Sequence, residues 1–149
     1  MQRKTVRFKA DRKCKGWEVF VIKKSKFNNA KIITSDGLKF DSRKELKRYK
    51  ELLAKAENGE ITNLQRQVKY ELIPAQREPD KVGPRGGKVS GKLMERAVSY
   101  YADFVYVVTA TGKTVVEDVK GYKQGNAYSI FKIKRKLMLY VHGITVKEV

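Results

Sequence analysis

Two stretches rich in valine, tyrosine and phenylalanine lie close together in this 149-residue chain, at Val98–Val108 and Thr114–Lys120. The segment between them, Thr109–Gly112, has the composition of a turn. Strand-forming runs that flank a short turn predict a β-hairpin. This local pairing constrains the fold more than any other feature, because it also decides which side chains face each other.

The register of the hairpin follows from the length of its loop. If Val108 pairs with Lys113, Asp103 lies directly opposite Asp118, with Cβ atoms about 5 Å apart. Because side chains alternate along a strand, Lys120 falls on the same face as Asp118. The sequence therefore predicts two carboxylates and one ammonium close together.

Like charges that oppose each other across two strands destabilise a sheet unless something compensates them. A divalent cation would do so, and carboxylate oxygens are the ligands that Mg²⁺ or Mn²⁺ prefers. The alternative is coincidence, since two aspartates in a highly charged chain can fall anywhere. Both carboxylates interrupt otherwise apolar strands, where unpaired charge is costly, and this favours a site.

Charge indicates the class of partner. The chain has 34 lysines and arginines against 16 aspartates and glutamates, a formal net charge of +18. Such a surface attracts polyanions, and cationic contacts to phosphates dominate nucleic-acid affinity. Acidic membranes are the main rival, but the sequence has no apolar run near the ~20 residues of a spanning helix and no secretory signal. Cys14 and His142 form no zinc pattern, so we expect an intracellular protein with any metal held by oxygen.

The first part of the chain predicts a basic extension over residues 1–41 and then the start of a compact domain over 42–149. The extension contains a predicted strand at Trp17–Lys23, and it is either an arm along nucleic acid or a solvated tail. Ser42 opens a predicted helix over residues 43–57. Glu45 has the position of its capping partner, so capping is the alternative to any functional role of this carboxylate.

A predicted strand at Val68–Ile73 precedes a long surface loop, about 74–92, that is rich in proline, glycine and charge. Loops of this length are either functional or disordered. We expect its cations to contact phosphates: Lys81, Arg85, Lys88 and Lys92.

The last predicted elements are a helix over residues 127–140 and a short strand at Ile144–Val149. The helix has an apolar face that we expect to be buried, formed by Ile130, Ile133, Leu137 and Tyr140. Its cationic face is either solvated or in contact with nucleic-acid backbone. The candidate contacts here and just before the helix are Lys123, Lys132, Lys134, Arg135 and Lys136.

The α-β-β-β-α-β order, with Glu45 in the first helix, Asp103 in the second strand and Asp118-Val119-Lys120 in the third, resembles the PD-(D/E)XK nuclease superfamily. The stretches FDSRKELKRYKELL, NLQRQVKYEL, YYADFVY and VVEDVKGYK look like small phage-encoded nucleases related to Holliday-junction resolvases. The resemblance covers about residues 28–149. Ala102 stands where the superfamily motif often has proline.

The resemblance implies an α/β fold with a restriction-endonuclease-like core, a mixed central sheet flanked by helices. It implies that Asp103 and Asp118 ligate Mg²⁺ or Mn²⁺ with the backbone carbonyl of Val119, and that Glu45 reaches the metal shell. Lys120 would orient the attacking water and stabilise charge on the phosphate. The implied activity is hydrolysis of branched DNA in the host cytoplasm, and a homodimer fits it because symmetric cuts need two sites.

Two other classes of function remain open from the sequence. One is a noncatalytic nucleic-acid-binding accessory protein that keeps the nuclease fold. The other is a basic RNA-binding protein, in which Tyr100, Tyr101 and Tyr106 would stack on bases. We expect these tyrosines instead to pack in the core or line the site, because they alternate between faces and lack the aromatic-glycine pattern of common RNA-binding sheets. The complete set of Glu45, Asp103, Asp118 and Lys120 argues against loss of catalysis, because a decayed site is expected to lack a member.

Overall fold

The structure is a computed structural model that describes residues 19–24 and 30–149. At residues 19–24 and at Ala30 it describes only the backbone. Most of the predicted basic extension, and the first two residues of its predicted strand, lie outside these residues. The chain divides into two compact units, one up to Ile61 and one from Thr62 onward. Each unit has its own sheet and its own buried apolar residues.

The first unit contains strands β1 (Val19–Lys24), β2 (Ala30–Thr34) and β3 (Lys39–Phe40), followed by helix α1 (Arg43–Glu57). The three strands form an antiparallel sheet in the order β1-β2-β3. Ile32, Phe40 and Leu46 form its buried cluster. Helix α1 has the predicted bounds because Ser42 caps it and Asn58 ends it.

The second unit contains the remaining elements, except that the first residue of its first strand, Ile61, is the last residue of the first unit. In chain order they are β4 (Ile61–Ile73), β5 (Gln76–Arg77), β6 (Lys81–Val82), β7 (Lys88–Val89), β8 (Leu93–Glu95), β9 (Val98–Val108), β10 (Thr114–Asp118), α2 (Gly125–His142) and β11 (Val146–Glu148). The main sheet has the order β11-β10-β9-β4. Strands β9 and β10 are antiparallel, whereas β10 and β11 are parallel, so the sheet is mixed.

Helix α2 packs on the main sheet by a face other than the predicted one. Phe131 and Met138 are buried in the same cluster as Tyr100, Val116 and other sheet residues. The predicted face was wrong: Ile130, Ile133 and Tyr140 are exposed, and Leu137 alone of the four is partly buried. We refer to these four residues and Val141 as the α2 stripe.

The buried face of α2 also includes two of the predicted cationic residues, which explains the error. Lys134 donates a hydrogen bond to the Ser99 carbonyl at 2.7 Å, and Arg135 bonds to Glu148 at 3.1 Å. Long cationic side chains can place their aliphatic stems along apolar surface while their heads find polar partners. Counting only apolar residues therefore selected the wrong side of the helix.

The expected long loop contains four short strands. Strand β5 pairs with β8 and β6 pairs with β7, both antiparallel, so residues 76–95 form a two-stranded arm that we call the ribbon. Its residues are almost all exposed, with Gly91 as the buried exception. The expectation that this segment lies at the surface is confirmed, whereas its description as a loop was wrong.

The fold class predicted from the sequence is confirmed as α/β with a mixed central sheet. From α1 onward, with the ribbon set aside, the elements follow the predicted order of helix, three strands, helix and strand. Among the described residues, no helix combines the length and apolar character needed to cross a membrane.

Candidate functional site

The hairpin register predicted from the sequence is confirmed. Val108 N–H donates to the Lys113 carbonyl at 3.0 Å, and the pairing continues to Glu117 opposite Phe104. Glu117 and Phe104 are the last pair of the two strands, one step before the predicted pair of Asp118 and Asp103. Beyond this last pair, the amide of Val119 donates at 2.7 Å to Oδ2 of Asp103.

Asp118 lies at the carboxyl end of β10 and is 2 % exposed. The Tyr100 hydroxyl donates to its Oδ1 at 3.1 Å. Burial, and then the negative charge of Asp118, raise the pKa of Tyr100 far above its usual range. Tyr100 therefore stays protonated and remains a hydrogen-bond donor to this carboxylate.

The other oxygen of Asp118 faces Lys120. Oδ2 is fully buried and accepts no hydrogen bond from the described residues, but the Lys120 ammonium forms an ion pair with it. The same ammonium lies 4.4 Å from the centre of the Phe131 ring. The predicted placement of Lys120 and Asp118 on one face is thus confirmed, and Lys120 supplies the positive charge next to the buried carboxylate.

Asp103 is held by neighbours on both of its oxygens. Besides the Val119 amide on Oδ2, the side-chain amide of Gln67 lies 3.3 Å from Oδ1. Gln67 belongs to β4 and has φ 51°, the left-handed region that side chains other than glycine rarely adopt. Tyr100, which the sequence analysis expected in the core or lining the site, is buried and bonds to Asp118. The sequence analysis missed Gln67, because a left-handed glutamine on a neighbouring strand has no local sequence signal.

Glu148 adds a third carboxylate to Asp103 and Asp118, and we call these three residues the carboxylate row. Glu148 of β11 is the pairing partner of Asp118, and it accepts hydrogen bonds from Tyr128 and Arg135. Lys123 lies 4.0 Å from the same carboxylate. The parallel pairing of β11 is not readable from local sequence, so this residue was also missed. Each carboxylate of the row has its own protein donors, which offsets the repulsion between them.

Glu45 belongs to the first unit and is 4 % exposed. Its amide donates to the Ser42 hydroxyl at 3.0 Å, and its Oε2 accepts from the Asp41 amide at 2.8 Å. These bonds satisfy backbone donors at the start of α1, as the capping interpretation expects. The role of Glu45 in a metal shell stays a prediction of the resemblance.

The predicted phosphate contacts differ in how much of their charge is engaged. Arg135 and Lys123 interact with Glu148, and Lys132 lies over the Tyr128 ring at 5.5 Å. In the ribbon, Lys81 and Lys88 pair with acidic neighbours, while both remain about three-quarters exposed. Exposed pairs of this kind contribute little, so they leave the cations available to phosphate. The remaining predicted contacts are exposed: Arg85, Lys92 and Lys136.

The donor set fits a hard divalent cation. Mg²⁺ is typically bound by one or two carboxylates, with waters and substrate phosphates completing its shell. Asp103 and Asp118 offer two such carboxylates: Asp103 accepts from the Val119 amide, one residue after Asp118, and Asp118 has a buried oxygen that pairs with the Lys120 ammonium. No group of three or more histidine, cysteine, aspartate or glutamate side chains suited to metal occurs within the described part of the chain. Any metal here would therefore depend on water and substrate oxygens.

The fold and this site define a mixed-sheet α/β protein with a carboxylate and lysine cluster at a strand end. Residues 24–146 match the family described as "Protein of unknown function (DUF1064)", and the chain belongs to this family. No curated protein and no solved structure shows significant similarity to it.

Proposed function

We propose that this protein is a metal-dependent DNA endonuclease that hydrolyses phosphodiester bonds in branched DNA. The observation that carries the proposal is the pair of contacts at the end of β10: the Val119 amide donates to Asp103, and Lys120 forms an ion pair with Asp118. The strongly basic composition supports a polyanionic substrate. The resemblance to the PD-(D/E)XK superfamily supplies the reaction class.

Asp103 and Asp118 would hold a Mg²⁺ or Mn²⁺ ion with the Val119 carbonyl, and the bound ion would make water more acidic and neutralise charge on the phosphate. Tyr100 keeps the Asp118 carboxylate in place through Oδ1. The Val119 amide and Gln67 do the same for Asp103.

Lys120 would have two partners in such a reaction. In the structure its ammonium pairs with the buried oxygen of Asp118. Because it lies beside the carboxylates that would hold the ion, the same ammonium would stabilise charge on the scissile phosphate or orient the attacking water.

The experiment is cleavage of labelled four-way junction, flap, single-stranded and linear duplex DNA with Mg²⁺, Mn²⁺, Ca²⁺ or EDTA. We expect paired nicks in the junction, lost with EDTA and in the Asp118→Asn and Lys120→Ala variants. Glu117→Gln is the matched control, because Glu117 is fully buried one residue away and bonds to Tyr106. Equal loss in the control would mean that general destabilisation, not the site, explains the effect.

A noncatalytic DNA-binding module is the second candidate. The observation that favours it is that Asp103, Asp118 and Glu148 all have protein partners, so the fold does not need a metal. It predicts DNA binding that is unchanged by Asp118→Asn and no cleavage with any metal.

The homodimer belongs to the same proposal. Paired cuts in a junction need two sites, and a symmetric dimer provides them. The α2 stripe supports a protein contact because all of its large hydrophobic side chains except Leu137 are exposed. Sedimentation of the wild type and of Tyr140→Glu tests this: a dimer that the substitution dissociates supports the stripe as the interface, and a monomeric wild type rejects the homodimer.

A further inference from the structure

Hydrogen bonds and a close backbone contact within the ribbon determine its shape. The Glu78 amide donates to the Lys92 carbonyl and the Gly83 amide to the Gly87 carbonyl, at 2.9 and 2.8 Å. Asp80 accepts from the Gly91 amide at 3.0 Å. A Cβ at Gly91 would lie 1.8 Å from the Glu78 carbonyl oxygen, so the strands approach too closely here for any other residue. Such a segment presents its tip at little entropic cost.

The composition of the tip, Lys81–Val89, is unusual for a solvated turn. It contains three cationic residues, no carboxylate and two valines. Val82 is 81 % exposed and Val89 is 52 % exposed. The pairing register sets Val82 opposite Lys88 and Lys81 opposite Val89, so each face of the tip presents one apolar and one cationic side chain. Arg85 lies at the turn itself.

The dimensions and charge of the tip match one occupant. Neighbouring strands lie about 4.8 Å apart, and the major groove of B-form DNA, about 12 Å wide, admits a two-stranded ribbon. In that groove the cations would lie near the phosphates of the walls, and the valines would reach base edges such as thymine methyl groups. The major groove of A-form RNA is too deep and narrow for side chains to read.

We propose that the ribbon tip enters the major groove of B-form DNA and holds the duplex arm of the substrate. Arg85 contacts base edges or phosphate at the bottom or wall of the groove, and Val82 packs on the bases. This inference rests on the proposed DNA substrate but not on cleavage, because the ribbon contains none of Asp103, Asp118 and Lys120.

The test is binding of the full-length protein to a labelled four-way junction in EDTA, with dimethyl sulfate footprinting. This reagent methylates guanine N7 in the major groove and adenine N3 in the minor groove. We expect protection of guanine N7 by the wild type, loss of that protection in Arg85→Ala and Val82→Ser, and binding about tenfold weaker in each. Lys113→Ala, which removes an exposed cation from the β9–β10 turn, is the control and should bind as the wild type does.

The proposal is overturned if both ribbon variants bind as tightly as the wild type, or if protection falls only on adenine N3. It is also overturned if duplex RNA competes as well as duplex DNA and depends equally on the ribbon. Because the assay contains no divalent metal, it separates the two proposals. If binding in EDTA needs the ribbon and the cleavage assay with Mg²⁺ or Mn²⁺ shows no product, the nuclease proposal fails and the ribbon proposal stands. If the protein cleaves DNA with metal and the ribbon variants bind as the wild type does, the ribbon proposal fails and the nuclease proposal stands.

Discussion

Within a strand, alanine normally gives a more stable protein than glycine. At Gln67 we predict the opposite order. Its φ of 51° is left-handed, although it lies within strand β4. We compare Gln67→Gly with Gln67→Ala. Both variants lose the amide that bonds to Asp103, so that loss cancels in the comparison.

The expected difference follows from backbone energetics. A left-handed conformation costs a residue with a Cβ about 1–2 kcal/mol. Glycine avoids that cost but loses about 0.5–1 kcal/mol more conformational entropy on folding than alanine. The central values of these two costs differ by about 0.8 kcal/mol, so Gln67→Gly should be the more stable variant by about that amount, or about 2 °C in Tm for a chain of this size.

The assay is urea and thermal unfolding followed by circular dichroism. Lys69 provides the control, because it is exposed on the same strand and is not among the residues with positive φ. There the order should reverse, with Lys69→Gly about 0.5–1 kcal/mol less stable than Lys69→Ala. If Gln67→Ala is as stable as Gln67→Gly, the left-handed conformation of Gln67 is refuted. Under the proposed function, both Gln67 variants should also require more Mn²⁺ for half-maximal cleavage.

Three further predictions concern the site and the ribbon. Tyr100→Phe keeps the ring in the core but removes the donor to buried Asp118, so urea unfolding should show a loss of about 1.5–3 kcal/mol, whereas Tyr101→Phe, 53 % exposed, should stay within about 0.5 kcal/mol. Gly91→Ala should open the ribbon and make residues 79–92 sensitive to limited proteolysis, while Gly87→Ala, which meets open space, should not; equal protection of both would contradict the close strand contact. The Lys88 ammonium and then the Gly91 amide lower the pKa of Asp80 below its usual 3.8. The bonds of Asp80 to these two groups therefore persist at neutral pH, and they are lost when acid protonates the carboxylate at its lowered pKa. The amide shift of Gly91 followed by NMR checks this, and a midpoint above 3.8 would reverse the sign.

The strand register at the site was predictable because it depends on local rules. Side chains alternate with a period of two, and a four-residue loop allows Val108 to pair with Lys113. These two facts alone predict Asp118 opposite Asp103 and Lys120 beside Asp118. The bounds of α1 were predictable for a similar reason, since Ser42 and Asn58 act on the residues next to them.

The ribbon could be only partly predicted. Prolines, glycines and charges correctly placed residues 74–92 at the surface, but the same composition suits a loop. The close approach of Gly91 to the Glu78 carbonyl and the bond between Gly91 and Asp80 join positions more than ten residues apart. Such contacts depend on which strands meet, and composition does not report this.

The amino-acid sequence by itself determined the hairpin, the first helix and the αβββαβ order, because short-range periodicity and capping decide them. Only the tertiary structure decided which face of α2 is buried and which groups surround the carboxylates. Phe131 and Met138 face the sheet instead of the α2 stripe because Lys134 and Arg135 find partners on Ser99 and Glu148. Long-range contacts bring the partners of the carboxylates together. Tyr100 and Gln67 bond to aspartates 18 and 36 residues away, and Glu148 pairs with Asp118 from a parallel strand that follows the whole of α2.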